Sequence, residues 1–270
     1  MDLNGIEAVV ERPDRGAIAG WRPGDAWLGG GTWLFSEPQP RVTRLLDATG
    51  FGWAPLTASE AGLTVAATCR IAEFERWAAP PDWRAAALVP LCCRALLGSF
   101  KVWNGATVGG NICLALPAGP MTALAAALDG TGLVWSADGE RALPVTELVT
   151  GPGQTALGPG ELLRSVHLPA AALRRRASFR QISLTPQGRS GALLIGTRDP
   201  DGTVRLTLTG ATVRPLVLAY GGMPSHAAVL ADLAALPDAL VFEDVHGRRA
   251  WRRVVMAHLS GEILDELGAP

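Results

Sequence analysis

The segment Leu28-Gly29-Gly30-Gly31-Thr32-Trp33-Leu34 indicates more about the architecture of this 270-residue chain than any other. It ends a short apolar run, Ala26 to Leu28, which is typical of a strand. Glycines directly after a strand let the backbone adopt positive φ and leave no side chain to hold a ligand away. Successive N–H groups in such a turn can surround an anion, and the Thr32 hydroxyl adds a further donor. The segment therefore predicts an anion-binding turn.

A second glycine-containing turn, Thr107-Val108-Gly109-Gly110-Asn111, offers a hydroxyl, two glycines and a side-chain amide. Soon after it, Pro117-Ala118-Gly119-Pro120 opens an alanine-rich segment that is typical of a buried helix, and a helix N-terminus favours negative charge. Either turn alone is usually only a tight turn. Neither has the Gly-x-Gly-x-x-Gly spacing of a nicotinamide-binding fold. Together, the two turns favour a shared phosphate-bearing ligand.

Strands and helices are mixed along the chain without a regular βαβ repeat, so an α+β fold is expected rather than a doubly wound sheet. A change of character after Pro169 predicts a domain boundary near residue 170. The segment 99–111 is polar and glycine-rich, and its part 107–111 is expected to be a loop. The cluster Arg174 to Arg176 is typical of a solvated face, with subunit docking as the alternative. The predicted strands are 26–28, 44–48, 63–67, 133–136, 162–168 and the hairpin 192–197 with 204–209; the predicted helices are 71–77, 85–97, 122–128, 227–236 and 248–267.

Composition excludes several classes of partner. The formal net charge is -1 and only 18% of the residues are charged, so neither nucleic acid nor an anionic membrane is an expected partner. The first residues lack the apolar stretch of a signal peptide, and no run of about 18 apolar residues predicts a membrane span. The four cysteines and four histidines lack metal-ligand spacing, and no catalytic residue is predicted. The cytoplasm is the expected compartment.

The two turns resemble those of the FAD-binding (medium) subunit of the molybdenum hydroxylases, a family of xanthine dehydrogenase and carbon monoxide dehydrogenase type. The first resembles the family's Ala-Gly-Gly-Thr-Asp loop. The second, Trp103-Asn104-Gly105-Ala106-Thr107-Val108-Gly109-Gly110-Asn111, is similar to Arg-Asn-x-x-Thr-Ile-Gly-Gly-Asn. The segment from Glu161 to Pro169 resembles a family strand that ends in proline. Trp33, Trp103 and Pro120 stand where the family usually has Asp, Arg and Asp.

The resemblance implies a two-subdomain FAD-binding fold of the PCMH or vanillyl-alcohol-oxidase type, followed by a smaller C-terminal domain of sheet and helices. It places the FAD-binding domain at residues 1–170, with subdomains at about 1–55 and 56–170, and the C-terminal domain at 171–270. It implies that the two loops line the diphosphate and ribityl chain, that Leu163 lies against the flavin and that Arg180 stands near the ring. The implied cofactor-binding residues are Leu28, Gly29, Gly30, Gly31, Thr32, Trp33, Leu34, Thr107, Val108, Gly109, Gly110, Asn111, Leu163 and Arg180.

By the same resemblance, the chain would be an oxidoreductase subunit that is active only within a complex, as in a heterotrimer. A large partner would carry molybdopterin, and a small partner would carry [2Fe–2S] clusters, from which electrons would pass through FAD to an acceptor. No catalytic residue and no metal are assigned to this chain. Two alternatives remain open: a degenerate, flavin-free scaffold subunit of such a complex, and a stand-alone FAD-linked oxidase.

Overall fold

The computed structural model describes residues 5–186 and 188–269 and has the expected α+β architecture. The strands within these ranges are β1 (Ala8–Val10), β2 (Asp25–Leu28), β3 (Arg44–Asp47), β4 (Leu56–Ser59), β5 (Gly62–Ala66), β6 (Thr131–Ser136), β7 (Gly139–Pro144), β8 (Val149–Gly151), β9 (Gln154–Thr155), β10 (Leu162–Pro169), β11 (Arg176–Ile182), β12 (Ala192–Arg198), β13 (Val204–Thr209) and β14 (Leu216–Tyr220). The α-helices are α1 (Gly16–Ala19), α2 (Ile71–Glu75), α3 (Leu88–Ala95), α4 (Phe100–Gly105), α5 (Val108–Cys113), α6 (Pro120–Ala127), α7 (Val145–Leu148), α8 (Ala170–Leu173), α9 (His226–Ala235) and α10 (Arg249–Gly268).

Three sheets carry the fold. The first is a three-stranded parallel sheet in the order β1-β3-β2, and the second is a five-stranded antiparallel sheet in the order β4-β5-β10-β6-β7. The third is an antiparallel meander, β11-β12-β13-β14. Strands β8 and β9 form a separate small pair. The five-stranded sheet supports the second glycine turn, and β2 of the first sheet leads into the first.

Helix α6 lies at the centre of the larger core. All of its residues are buried, and it packs against α3, β12 and β13. Its alanine-rich sequence allows this because small side chains let a helix approach sheets and helices closely on all sides. The larger core reaches across to Leu193 and Ile195 of β12, so the third sheet shares it with the five-stranded sheet.

A second core forms where α10 covers the other face of the meander. Met256, Ile263 and Leu267 of the helix are buried there, together with Leu194 and Leu206 of the sheet. The close approach depends on the glycine at position 196, since a Cβ there would lie 2.2 Å from Cγ2 of Ile263. None of the described helices is long and apolar enough to cross a membrane.

Two sequence expectations are wrong. Segment 107–111 is not a loop, because it holds the start of α5, whose first turn is capped by the Thr107 hydroxyl, and the residues before it form α4. The cluster Arg174 to Arg176 is not a uniformly solvated face. Arg175 has a side chain only 5% exposed, and it forms ion pairs with Asp129 and Asp199. The sequence could not indicate this burial, because both acidic partners lie far from Arg175 along the chain.

Candidate functional site

The first glycine turn has a conformation that only glycine accepts without strain. Gly31 has φ +71°, and a Cβ at this position would lie 2.4 Å from the ring of Phe35. The Phe35 N–H donates to the Gly31 carbonyl at 2.8 Å and closes the turn. Ser36 then donates from its backbone N–H to the Trp33 carbonyl at 2.9 Å. The peptide groups of residues 31–36 are thereby held in a compact curve after β2.

The two predicted turns lie against each other. A Cβ on Gly30 would lie 1.6 Å from the carbonyl oxygen of Gly105, at the end of α4. A Cβ on Gly29 would lie 2.9 Å from the Thr107 hydroxyl, and one on Gly105 would lie 2.9 Å from Cγ2 of Thr32. Backbone therefore meets backbone, and the missing side chains are what permit the contact.

The first turn presents a row of free donors. Across residues 5–186 and 188–269, none of the backbone N–H groups of residues 30–34 donates a hydrogen bond to a protein acceptor. Most backbone donors in a folded protein are paired with protein or water. Successive unpaired N–H groups on a tight curve are the arrangement that binds phosphate and other anions. This turn can therefore hold an anionic group without any basic side chain.

The second turn differs because its amides are already bonded within the protein. The Val108 N–H donates to Cys69 at 2.9 Å, and the Gly109 N–H donates to Ala67 at 2.8 Å. The Gly110 N–H donates to the Thr107 hydroxyl at 3.1 Å, as expected of a helix cap. Asn111 completes the first turn of α5 by donating to the Thr107 carbonyl at 3.0 Å. The second turn is thus held in place by its own hydrogen bonds and supports the first turn.

One N–H group at the N-terminus of α6 already has a partner within the protein, and a phosphate contact at this terminus stays a prediction. The Met121 N–H donates to the Asn111 side-chain oxygen at 3.0 Å. Pro120 has no N–H, and both Pro120 and Met121 are buried. Asn111 therefore links α5 to α6.

Leu163 lies in the larger core, with its side chain 1% exposed and close to Gly132. Its neighbour Arg164 sits at an irregularity in the pairing of β10 with β6. The Arg164 carbonyl accepts from the Ala67 N–H at 3.0 Å, and the Ala67 carbonyl accepts from Gly109. These two hydrogen bonds connect the backbone beside Leu163 to the second turn through Ala67.

Arg180 contacts α10 rather than either glycine turn. Its guanidinium pairs with Glu262 at 2.6 Å and with Glu266 at 2.7 Å. Burial lowers the pKa of Arg180, but the hydrogen bonds to these two carboxylates outweigh burial and raise it. The two turns and the backbone beside Leu163 are thus brought together, and Arg180 stands apart from them on β11.

One feature near the turns was missed at the level of sequence. The Arg164 guanidinium lies 4.3 Å from the ring centre of Trp53 and 5.8 Å from that of Trp135. Trp53 stacks on Phe51 at 4.7 Å, and Trp135 meets both rings edge-on. Burial lowers the pKa of Arg164. The only available signal was the abundance of tryptophan, which does not identify which rings meet.

The described residues include no group of three or more His, Cys, Asp or Glu side chains that could hold a metal ion. Burial raises the pKa of Cys69 and of Cys113 to about 12, so neither thiol is a nucleophile near neutral pH. The site offers binding through backbone amides and shape. Its chemistry would come from what it binds.

A protein family described as the FAD binding domain in molybdopterin dehydrogenase matches residues 22–171, more than half of the chain. The matched region contains both glycine turns and the strand that carries Leu163.

This chain belongs to that family of FAD-binding domains.

Two curated relatives match part of this family member. The chain is 28% identical over 137 residues to the glyceraldehyde dehydrogenase medium chain of Sulfolobus acidocaldarius, covering 50% of this chain and 46% of that one. It is 27% identical over 168 residues to 6-hydroxypseudooxynicotine dehydrogenase complex subunit alpha of Paenarthrobacter nicotinovorans, covering 58% and 57%. The matches thus span about half the length of these relatives.

A chain in the structure of carbon monoxide dehydrogenase from Hydrogenophaga pseudoflava has the same fold. It superposes with a TM-score of 0.82 at 18% identity, covering 98% of each chain. The likeness extends over the meander and α10 as well as the FAD-binding region, and it confirms the expected fold class. At this level of identity it bears on the fold and not on the residues of the site.

Proposed function

We propose that this chain is the FAD-carrying subunit of a multi-subunit molybdenum hydroxylase, in which it conveys electrons between a redox partner and an acceptor. The observation that supports the proposal is the row of unpaired N–H groups at residues 30–34, held against Gly105 and Thr107 in a chain of the FAD-binding family. The free donors suit the diphosphate of FAD, which is an anion with several acceptor oxygens.

In this proposal, one group of residues contacts the cofactor, and a second group holds the first in position. Residues Gly29 to Leu34 hold the diphosphate, and Leu28 anchors the turn to β2. Thr107 to Asn111 keep the turn in place through α5, and the backbone at Leu163 supports the flavin end. FAD supplies the electron chemistry when it is bound, and this chain binds and orients it. Arg180 would act near the ring only if its ion pairs with α10 were rearranged.

We further propose that a large molybdopterin subunit and a small [2Fe–2S] subunit are the partners, and that the complex works in the cytoplasm. Both curated relatives bear names of dehydrogenase subunits, one a medium chain and one a subunit of a complex, which supports an assembly of several chains. We place the division between the FAD-binding domain and the C-terminal domain near residue 170, where β10 ends.

The test is cofactor extraction from natively purified protein, with the associated chains identified by mass spectrometry in the same sample. We expect FAD that is released on denaturation, together with chains that carry molybdenum and iron–sulfur clusters. Flavin-free protein in an intact complex would instead establish the scaffold alternative. A flavin-containing monomer that oxidises substrate alone would establish the stand-alone oxidase.

A matched pair of variants tests the contact between the Thr32 hydroxyl and FAD. Thr32→Val keeps the methyl that contacts Gly105 but removes the hydroxyl, whereas Thr57→Val changes an exposed residue of β4. A hydrogen bond to a charged group contributes about 1.5–3 kcal/mol, so we expect Thr32→Val to weaken FAD binding by roughly one to two decades. Thr57→Val should leave the affinity unchanged. Equal affinity of both variants would exclude a hydroxyl contact at position 32.

A further inference from the structure

Strand β14 forms an open edge of the meander. It pairs with β13 on one side, and no strand among residues 5–186 and 188–269 pairs with its other side. Val217 and Ala219 alternate along it as exposed residues, with Leu216, Leu218 and Tyr220 half-buried between them. An open edge with unpaired N–H and C=O groups is a template for a further strand, and proteins usually cover or blunt such edges.

Two clefts lie along this edge and share Val217, Leu218 and Leu236. The larger has a volume of about 560 Å³ and lies between the start of β6, the end of β7 and the edge strand. The smaller has a volume of about 410 Å³ and continues beside Tyr220 and α9. The open backbone edge and the apolar residues of the larger cleft together match an extended polypeptide, whose alternate side chains could enter the clefts.

The larger cleft is positively charged at one end. Arg205 and Arg214 line it together with Asp129. Asp129 is paired with Arg175, and Arg205 is paired with Asp199, which Arg175 also contacts. Asp129 and Asp199 are thus both paired with Arg175 or Arg205, and Arg214 has no carboxylate within 4.0 Å among the residues that the structure describes. A half-buried arginine without a carboxylate partner at a cleft favours an acidic ligand group.

We propose that the edge of β14 is a docking site for an extended segment of a partner subunit, which adds as a strand and places an Asp or Glu side chain against Arg214. The segment has apolar residues at alternate positions that lie over Val217 and against Leu218 and Leu236. The surface is separate from the glycine turns. This inference rests on the proposed multi-subunit assembly but does not depend on flavin binding.

The test is photo-cross-linking in the intact, natively purified complex. The variant Val217→p-benzoylphenylalanine places the probe on the edge, and Thr57→p-benzoylphenylalanine places it on β4, the edge of the five-stranded sheet. After irradiation, the linked peptide is sequenced. We expect position 217 to link to one peptide of a partner subunit that has an acidic residue and alternating apolar residues. We expect no such product from position 57.

A second pair of variants tests the charge. Arg214→Gln should lower the yield of that product roughly tenfold, which corresponds to about 1.4 kcal/mol, while Arg84→Gln, an exposed arginine away from the cleft, should not change it. Slowed hydrogen exchange of residues 216–220 in the unmodified complex, relative to the isolated chain, provides an independent check. A product with a second copy of this chain, a linked peptide without an acidic residue, or a β14 that exchanges equally in both samples would overturn the proposal. Flavin-free protein that still gives the expected product would overturn the proposed function and leave this inference intact.

Discussion

At the scale of single residues, the site is defined by side chains that are missing. Gly30 approaches Gly105 so closely that no other residue fits, whereas Gly222 has no atom within 4 Å of where its Cβ would be. Both are glycines in turns, and the sequence alone does not distinguish them. The difference arises because the backbone carbonyl at the end of α4 lies against Gly30, whereas no atom lies close to Gly222.

We predict that Gly30→Ala destabilises the protein by about 1–3 kcal/mol and weakens FAD binding, because the added methyl forces the first turn away from α4. Gly222→Ala should be neutral, or stabilising by up to about 1 kcal/mol, because it reduces the entropy of the unfolded chain. Urea unfolding of both variants and of the parent, with flavin titration of each, checks this prediction. Equal stability of the two variants would mean that the close contact at Gly30 is absent in solution.

Thr107 is predicted to act through its hydroxyl as the cap of α5. Thr107→Val should cost about 1 kcal/mol in the free energy of unfolding, and Thr107→Ser should restore most of it because serine caps helices equally well. Since α5 supports the first turn, FAD affinity should follow the same order. If Val and Ser variants unfolded at the same urea concentration, the hydroxyl would not be the cap.

The pairing of the two turns could be predicted from the sequence, because each shows glycines beside a hydroxyl and an apolar segment. Which amides are free could not be predicted. The acceptors that occupy the second turn are the carbonyls of Ala67 and Cys69, some forty residues earlier in the chain. Only the fold brings them to the amides of Val108 and Gly109.

At the scale of elements, the local sequence pattern was enough to predict those helices and strands whose residues have clear conformational preferences. The hairpin of β12 and β13 follows from β-branched and leucine residues around an Asp-Pro-Asp-Gly turn, and α10 follows from its long periodic segment. The strands β11 and β14 were missed because arginines, serine and a short length conceal their alternation. Helices α4 and α5 were missed because glycine and asparagine rarely favour helix, and their formation depends on the cap and on tertiary contacts.

The pairing of β2 with β3 includes an ion pair that predicts how stability responds to acid. The Asp25 side chain is fully buried, and Arg44 donates to it from Nε at 2.7 Å and from Nη2. The hydrogen bonds from Arg44 hold the pKa of Asp25 below its ordinary value of 3.8, although burial opposes them. The folded state therefore binds fewer protons than the unfolded state when the pH approaches this range.

It follows that the contribution of Asp25 to stability is fully present above about pH 3.8 and is lost as the pH falls through the lower folded-state pKa. We predict that Asp25→Asn is less stable than the parent at pH 7 and that the difference shrinks below pH 4. Urea unfolding between pH 7 and pH 3 measures it. A double-mutant cycle with Arg44→Met isolates the pair, and a difference independent of pH would contradict the assignment.

At the scale of the whole molecule, the FAD-binding region and the meander are joined by charge as well as by apolar packing. Arg175 lies after α8, Asp129 lies after α6, and Asp199 lies in the turn between β12 and β13. Burial lowers the pKa of Arg175, and the hydrogen bonds to both aspartates more than compensate. Its neighbour Arg174 is half exposed and pairs with the exposed Asp82 at 2.9 Å. Arg175 therefore connects the FAD-binding region to the meander through two aspartates, whereas Arg174 contacts the exposed Asp82.

We predict that Arg175→Met loosens the link between the two regions and lowers the free energy of unfolding by about 3 kcal/mol, the low end for a broken buried pair, because Asp129 is half exposed and can regain water. Arg174→Met should cost less than about 1 kcal/mol, as for exposed pairs. Eight of the nine tryptophans precede residue 136, so fluorescence follows mainly the FAD-binding region, whereas circular dichroism follows the whole chain. In the parent and in Arg174→Met, both signals should change together, and in Arg175→Met they should separate. If the signals still coincided in Arg175→Met, the shared apolar core around α6 alone would account for the coupling.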